Sequence, residues 1–189
     1  ADEVLGSFTY RGITYAVEPG GESVAIVAAD PSKLPSDFLD AQTIVLPSVV
    51  SFDGIDSYSV ARIADGALSS LAEERADPSY VGAKALFDQG DAPEPFDGRI
   101  GILTLSIPSS VSSIEDGAFS GSDTLQYLVI SEDNQTFASF DGALYSADLA
   151  TLRLIPEGRV GAVRIAPNAT DVDPEVFSHC PSVDVLVAD

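Results

Sequence analysis

The chain is poor in the side chains that most often carry chemistry. Among its 189 residues there is one His, one Cys, no Met and no Trp. A single Cys excludes an intramolecular disulfide framework and any zinc site built on cysteines. Cations are scarce as well: nine Lys and Arg, with Lys33 and Lys84 the only lysines, stand against thirty Asp and Glu, for a net charge of -21. A surface of that sign repels phosphate backbones, which argues against nucleic acid as a partner, and it disfavours anionic membranes. No apolar run approaches the roughly eighteen residues of a membrane span; the longest, 24–29, is strand-sized. The first residues lack the basic start and apolar stretch of an export signal, so either the protein is cytoplasmic or the chain is a mature fragment. What is present is ordinary for a folded domain. With 45% hydrophobic residues and a mean hydropathy of +0.18, the chain is too apolar for a disordered acidic tail. Its length suits one domain or one elongated repeat array.

Internal repetition is the main signal. Three tetrapeptides are alike: Asp65-Gly66-Ala67-Leu68, Asp116-Gly117-Ala118-Phe119 and Asp141-Gly142-Ala143-Leu144. The last two start 25 residues apart, a solenoid-sized period. Around the middle one lies a fuller unit: 103–108, ending in Pro108, then Val111, Ile114, the tetrapeptide, Gly121, Leu125, Leu128 and Ile130. A second copy runs 163–167, then Val172, Phe177, Cys180, Val183 and Leu186, and a third begins at 44–47 and resumes at 63–68. Alternation of period two before a Pro reads as a strand that the Pro ends. Asp before Gly-Ala-Phe can cap a single helical turn, with Gly121 closing it in a left-handed conformation. Asp173-Pro174 supplies cap and first-turn proline for the same job. The Phe of each unit, Phe119 and Phe177, is then expected to point inward. One such unit cannot bury its apolar face alone, so units must stack. The predicted fold is α/β: a right-handed solenoid with a mostly parallel β-sheet and short helical turns.

The run 103–130 resembles the BspA-type leucine-rich repeat, whose units read apolar-x-Ile-Pro, Val-x-x-Ile, Asp-x-Ala-Phe, Gly-Cys, Leu-x-x-Leu-x-Ile. Residues 134–158 resemble a variant unit of that family. Residues 49–68 resemble its frequent opening: a strand, an Asp-Gly hairpin, and a Tyr-x-Val strand leading into the capped turn. Ser122 stands where the family usually has Cys, and Leu68 replaces the Phe. Residues 8–17 read as a hairpin, followed by a strand over 24–27. Residues 1–42 are therefore expected to form an N-terminal β cap, and 43–189 a degenerate solenoid with an insertion at about 72–97. Within the insertion, Asp77-Pro78 can start a helix ended by Gly90.

The residues capable of chemistry have plainer readings. His179 and Cys180 are adjacent, so on an extended chain they point to opposite sides and cannot form a Cys-His pair. Cys180 reads as a core-filling thiol. No Gly-x-Ser-x-Gly elbow accompanies the lone His. Asp171-x-Asp173-x-Glu175 superficially resembles a calcium loop but lacks the Gly and the distant Glu of one. Asn134-Gln135-Thr136 and Asn168-Ala169-Thr170 would matter only in a glycosylating host. No catalytic residue, metal site or cofactor is assigned.

Stacked strands bind through their outward face. The register places Val45, Thr104, Ser106, Tyr127, Val129, Arg164, Val185 and Val187 there. Tyr127 and Arg164, of the types that anchor interfaces, are the leading binding candidates, with Val129 and Thr104 beside them. The strand 183–187 is almost wholly apolar, which predicts either continuation of the chain or end-to-end association. The family resemblance implies a secreted or wall-attached bacterial surface protein that adheres to a host or neighbouring-cell protein or glycan. The alternatives are a passive stalk and, third, a glycan-binding protein or hydrolase working at a carboxylate pair.

Overall fold

The structure, a computed structural model, describes residues 6–69, 71–74, 99–177 and 183–188. The alternating N-terminal segment forms the expected hairpin, with β1 (Ser7–Tyr10) antiparallel to β2 (Ile13–Val17). Its inward side chains Phe8, Ile13 and Tyr15 are buried, and the rings of Phe8 and Tyr15 stack at 5.4 Å. β3 (Ser23–Ala29) pairs antiparallel with β2 and parallel with a later strand, Ser57–Ile63. A one-turn helix, α1 (Ser36–Ala41), then leads into β4 (Thr43–Val45). β5 (Val49–Ser51) folds back on β6 (Ser57–Ile63) across the Asp53-Gly54 hairpin, as the sequence predicts. The N-terminal hairpin and the opening repeat thus share one sheet. β7 (Ala72–Glu74) and β8 (Arg99–Gly101) pair antiparallel at the two ends of the insertion. The helix expected from Asp77 lies outside the described residues.

A second sheet carries the repeats. β4, β9 (Thr104–Ile107) and β11 (Tyr127–Ile130) lie parallel and in register: Thr43 opposite Thr104 opposite Tyr127, and Val45 opposite Ser106 opposite Val129. Alternation dictates which residues go inward. Ile44, Leu105 and Leu128 are fully buried, and Ile107 lies behind them.

The turns stack as the first two tetrapeptides predict. Gly66 N–H donates to the Gly117 carbonyl at 3.0 Å, and Leu68 N–H to the Ala118 carbonyl at 2.9 Å. Ala67, Leu68, Ala118 and Phe119 are buried between them. Gly121, at φ +87°, closes the second turn in the left-handed region. The Ser122 hydroxyl is buried and donates to the Leu68 carbonyl, a bond that ties one turn to the next. The carboxylate cap occurs at Asp173, whose Oδ1 accepts from Glu175 N–H at 3.1 Å. At the first turn the roles are exchanged: the Asp65 N–H donates to Glu115 Oε2, 2.7 Å away.

The third tetrapeptide departs from the other two. Asp141 and Gly142 both have positive φ, 50° and 80°, the type I′ geometry that joins antiparallel strands. They link β12 (Phe137–Phe140) to β13 (Ala143–Ser146), and β14 (Thr151–Leu154) returns antiparallel to β13. Parallel pairing resumes beyond. β16 (Asp171–Val172) joins β14, and β15 (Gly161–Ile165) joins β17 (Val183–Ala188). With β10 (Ser113–Ile114) on β6, antiparallel pairings among the described residues are as many as parallel ones. The expected mostly parallel sheet is therefore a set of mixed sheets, because the hairpins near 11, 53 and 141 turn the chain back on itself.

The core divides at β13. One cluster runs from Phe8 to Leu144; a smaller one holds Ala143, Tyr145, Leu152, Ile155, Val163, Ala166 and Val176. Neighbouring residues on a strand face opposite sides, so Leu144 serves one cluster while Ala143 and Tyr145 serve the other. The last turn corrects a prediction. Phe119 is 3% exposed, but Phe177 is 48% exposed and Val176 takes the buried place before it. Phe119 packs within the larger core cluster, whereas Phe177 belongs to neither cluster. His179 and Cys180 lie outside the described residues.

Candidate functional site

Register alone assembles an outward face on the β4–β9–β11 sheet. Val45 is 64% exposed, Val129 46% and Tyr127 40%, with Thr104 and Ser106 half-buried between them. Tyr127 sits directly beside Thr104, and Val129 beside Ser106. Three of the four predicted binding residues, Thr104, Tyr127 and Val129, therefore share one surface. The apolar strip continues past Val45 into a cavity of about 430 Å³ bordered by Tyr10, Arg11, Phe38 and Val49. Tyr10 and Val49 are each 54% exposed. Arg11 is held in place there, its guanidinium 4.4 Å from the centre of the Phe38 ring and 2.6 Å from Asp37 Oδ2. The Asp37 carboxyl is lowered below its usual range by that Arg11 hydrogen bond. Burial pushes the Tyr15 hydroxyl, at the back of the cavity, up to about 12.

Arg164, the fourth candidate, stands on β15 in a different sheet, so strand register does not place it beside Tyr127. The tip of the β12–β13 hairpin bridges the gap. Leu128 N–H donates to the Gly142 carbonyl at 2.8 Å, Ile130 N–H to Ser139 Oγ at 3.0 Å, and Arg164 N–H to Asp141 Oδ2 at 2.8 Å. The tip thus does by loop contacts what a fourth strand would do by a ladder. Asp141 also accepts from Arg159 Nη2 at 2.9 Å, and lies 3.7 Å from Arg164 Nη2. The Arg159 guanidinium lies 4.5 Å over the Tyr127 ring, while the Arg164 guanidinium lies 5.7 Å from the Phe140 ring. A Cβ on Gly142 would come within 2.6 Å of Tyr127 Cδ1, so glycine is needed there both for space and for its positive φ. Tyr127 is therefore clamped between Gly142 and Arg159, one ring face spent and the rest open.

Arg159 is the residue that sequence reasoning missed. In a Pro-Glu-Gly-Arg loop it reads as solvated, yet it is 6% exposed. Among the described residues its Nε and Nη1 have no hydrogen-bond partner, so the Asp141 carboxylate, the Ala162 carbonyl at 3.4 Å and the Tyr127 ring face hold a buried cation. Val185 and Val187 pair in backbone register with Ala162 and Arg164.

The other candidates do not form sites. Asp173 is occupied with its own turn, and Asp171 Oδ1 accepts its neighbouring Val172 N–H. Among the described residues no trio of His, Cys, Asp or Glu could hold a metal ion. Asn134 is buried rather than displayed: its Nδ2 donates to the Pro108 and Val111 carbonyls, and its Oδ1 accepts from Thr136 and Phe137 N–H. No helix among the described residues is long and apolar enough to cross a membrane.

No family model and no curated protein matches the sequence. Solved structures do resemble it. A leucine-rich-repeat protein from Bacteroides capillosus shares 16% identity, with a TM-score of 0.52 over 97% of this chain and 98% of that one. One from Bacteroides ovatus shares 17% identity at a TM-score of 0.47, over 94% of this chain and 41% of that one. A leucine-rich cell surface protein from Faecalibacterium prausnitzii shares 12% at 0.45, over 97% of this chain and 55% of that one. Stacked Asp-Gly-Ala turns, in-register strands ended by proline and full-length superposition on the first of these structures converge: the chain has the fold of the bacterial leucine-rich-repeat proteins.

Proposed function

We propose that this protein is a non-catalytic binding protein, secreted or displayed on a bacterial surface, that recognises an extracellular protein or glycan. Its coils stack as a right-handed solenoid, with residues 1–42 as the cap, and binding uses the outward face of β4, β9 and β11. One observation carries the reading: Val45, Val129 and Tyr127 are exposed in register on a rigid sheet whose inward rows are fully buried. Apolar side chains gathered into one contiguous exposed patch are the mark of an interaction surface. Tyr127 and Arg164 are its anchors, linked through Asp141. The edge of β17 that no described strand pairs is an additional surface for end-to-end association.

Binding to a panel of extracellular-matrix proteins and glycans tests this. A ligand from the panel should lose about tenfold or more in affinity with Tyr127→Ala and with Val129→Ser, as truncated anchors do. A ligand indifferent to both substitutions, or silence across the panel, sinks the reading, and silence leaves the passive stalk. Sedimentation of the same preparations that finds only monomer at high concentration removes the end-to-end contact.

A further inference from the structure

The turns at 65 and 116 are bonded to each other, but no comparable bonds join the 116 turn to the 173 turn among the described residues. The coil between them spends its Asp-Gly-Ala on a hairpin; it turns instead at 156–159, with Arg159 N–H on the Pro156 carbonyl at 3.0 Å, and has no stacked Asp-Gly-Ala turn. A notch of about 500 Å³ is left where that turn would stand, a volume typical of ligand sites. Phe119, Phe137 and Leu144 back its floor. Among the described residues, Glu115, Asp116, Glu157, Asp173 and Glu175 line it, with Arg153 the one cation of the lining.

These carboxylates are not equivalent. Glu115 is engaged by Arg62 and by Asp65 N–H, Glu157 accepts from Gly121 N–H, and Asp173 caps its own turn. Asp116 and Glu175 are exposed, and among the described residues nothing engages their side chains. Both line the notch, and their charge is unspent. Arg153 lies 6.0 Å over the Phe137 ring, so the floor already accepts one guanidinium from within the chain.

We infer that this notch is a docking groove for a basic segment of a partner protein, one in which cationic side chains alternate with apolar ones. The cations meet Asp116 and Glu175, and the apolar side chain enters toward Phe119 and Phe137. Charge complementarity selects this occupant: a second copy of a chain with net charge -21 brings the wrong sign. The groove is separate from the β4–β9–β11 face, so either can fail without the other.

Fluorescence anisotropy of a labelled peptide alternating lysine with leucine, titrated with the intact protein at physiological salt, tests the inference. The peptide should bind, and a lysine–glycine version about tenfold more weakly. Asp116→Asn with Glu175→Gln should lower affinity about tenfold, and Ser120→Trp, at an exposed wall position, should abolish binding by filling the notch. Glu132→Gln with Asp133→Asn removes the same charge elsewhere and should leave affinity unchanged. Equal binding of the lysine–glycine peptide, equal losses from the two double variants, or no binding at all would each overturn the proposal.

Discussion

Residues 116–119 and 141–144 differ only in their last member, Phe119 against Leu144, yet fold in opposite ways. The first makes a single turn stacked on its predecessor, with Ala118 and Phe119 buried; the second makes a half-buried hairpin tip that bridges two sheets. What surrounds each tetrapeptide decides the outcome. Ser120-Gly121 follows the first and closes it, with Gly121 at positive φ. Strand-forming runs flank the second on both sides, 137–140 and 143–146, and Asp-Gly between alternating apolar residues is a hairpin signal. An identical motif at a plausible period is not a repeat unless its flanks repeat too.

Four substitutions probe that contrast. The largest effect is expected at the two aspartates. Asn tolerates positive φ, so Asp141→Asn keeps the hairpin and removes only the charge that holds buried Arg159. It should cost about 3 kcal/mol in urea unfolding, the scale of a buried cation stripped of its partner. Asp116→Asn should stay within about 0.5 kcal/mol, as for an exposed side chain without partners. Equal effects would break the comparison. The glycines come next. Gly142→Ala meets both a positive φ and the Tyr127 ring, and should cost about 2 kcal/mol. Gly117→Ala places its methyl against the Asp65 carboxylate, the movable end of a side chain, and should cost under about 1 kcal/mol.

The smallest effect is electrostatic. The Glu115 carboxyl is lowered from 4.5, first by the Asp65 N–H and then by Arg62. The folded state thus releases this proton more readily than the unfolded one. The resulting stability is present above pH 4.5 and is lost as pH falls through the lower folded value. Glu115→Gln should flatten the acid limb of the stability profile there. An unchanged limb would detach Glu115 from the first pair of turns.

Much of the architecture was legible. Pro47 and Pro108 mark strand ends, and alternation about Leu105 and Leu128 separates inward from outward residues, so Thr104, Tyr127 and Val129 could be placed on one face from sequence. Arg159 could not, because its burial depends on Asp141, eighteen residues away and on the far side of a hairpin. Phe177 was misplaced for a related reason. Its turn matches the pattern, but the pattern does not say which of the adjacent Val176 and Phe177 turns inward. The notch behind Asp116 is likewise invisible in a motif, being the space where one is missing.

β13 has one further consequence. Ala143, Leu144 and Tyr145 are all buried, and this short segment is the party wall between two compartments of unequal size. Pulled from its two ends, such a molecule would part first on the side of the smaller compartment. The larger one would survive with Leu144 still lodged in it, so rupture would come as two events and not one.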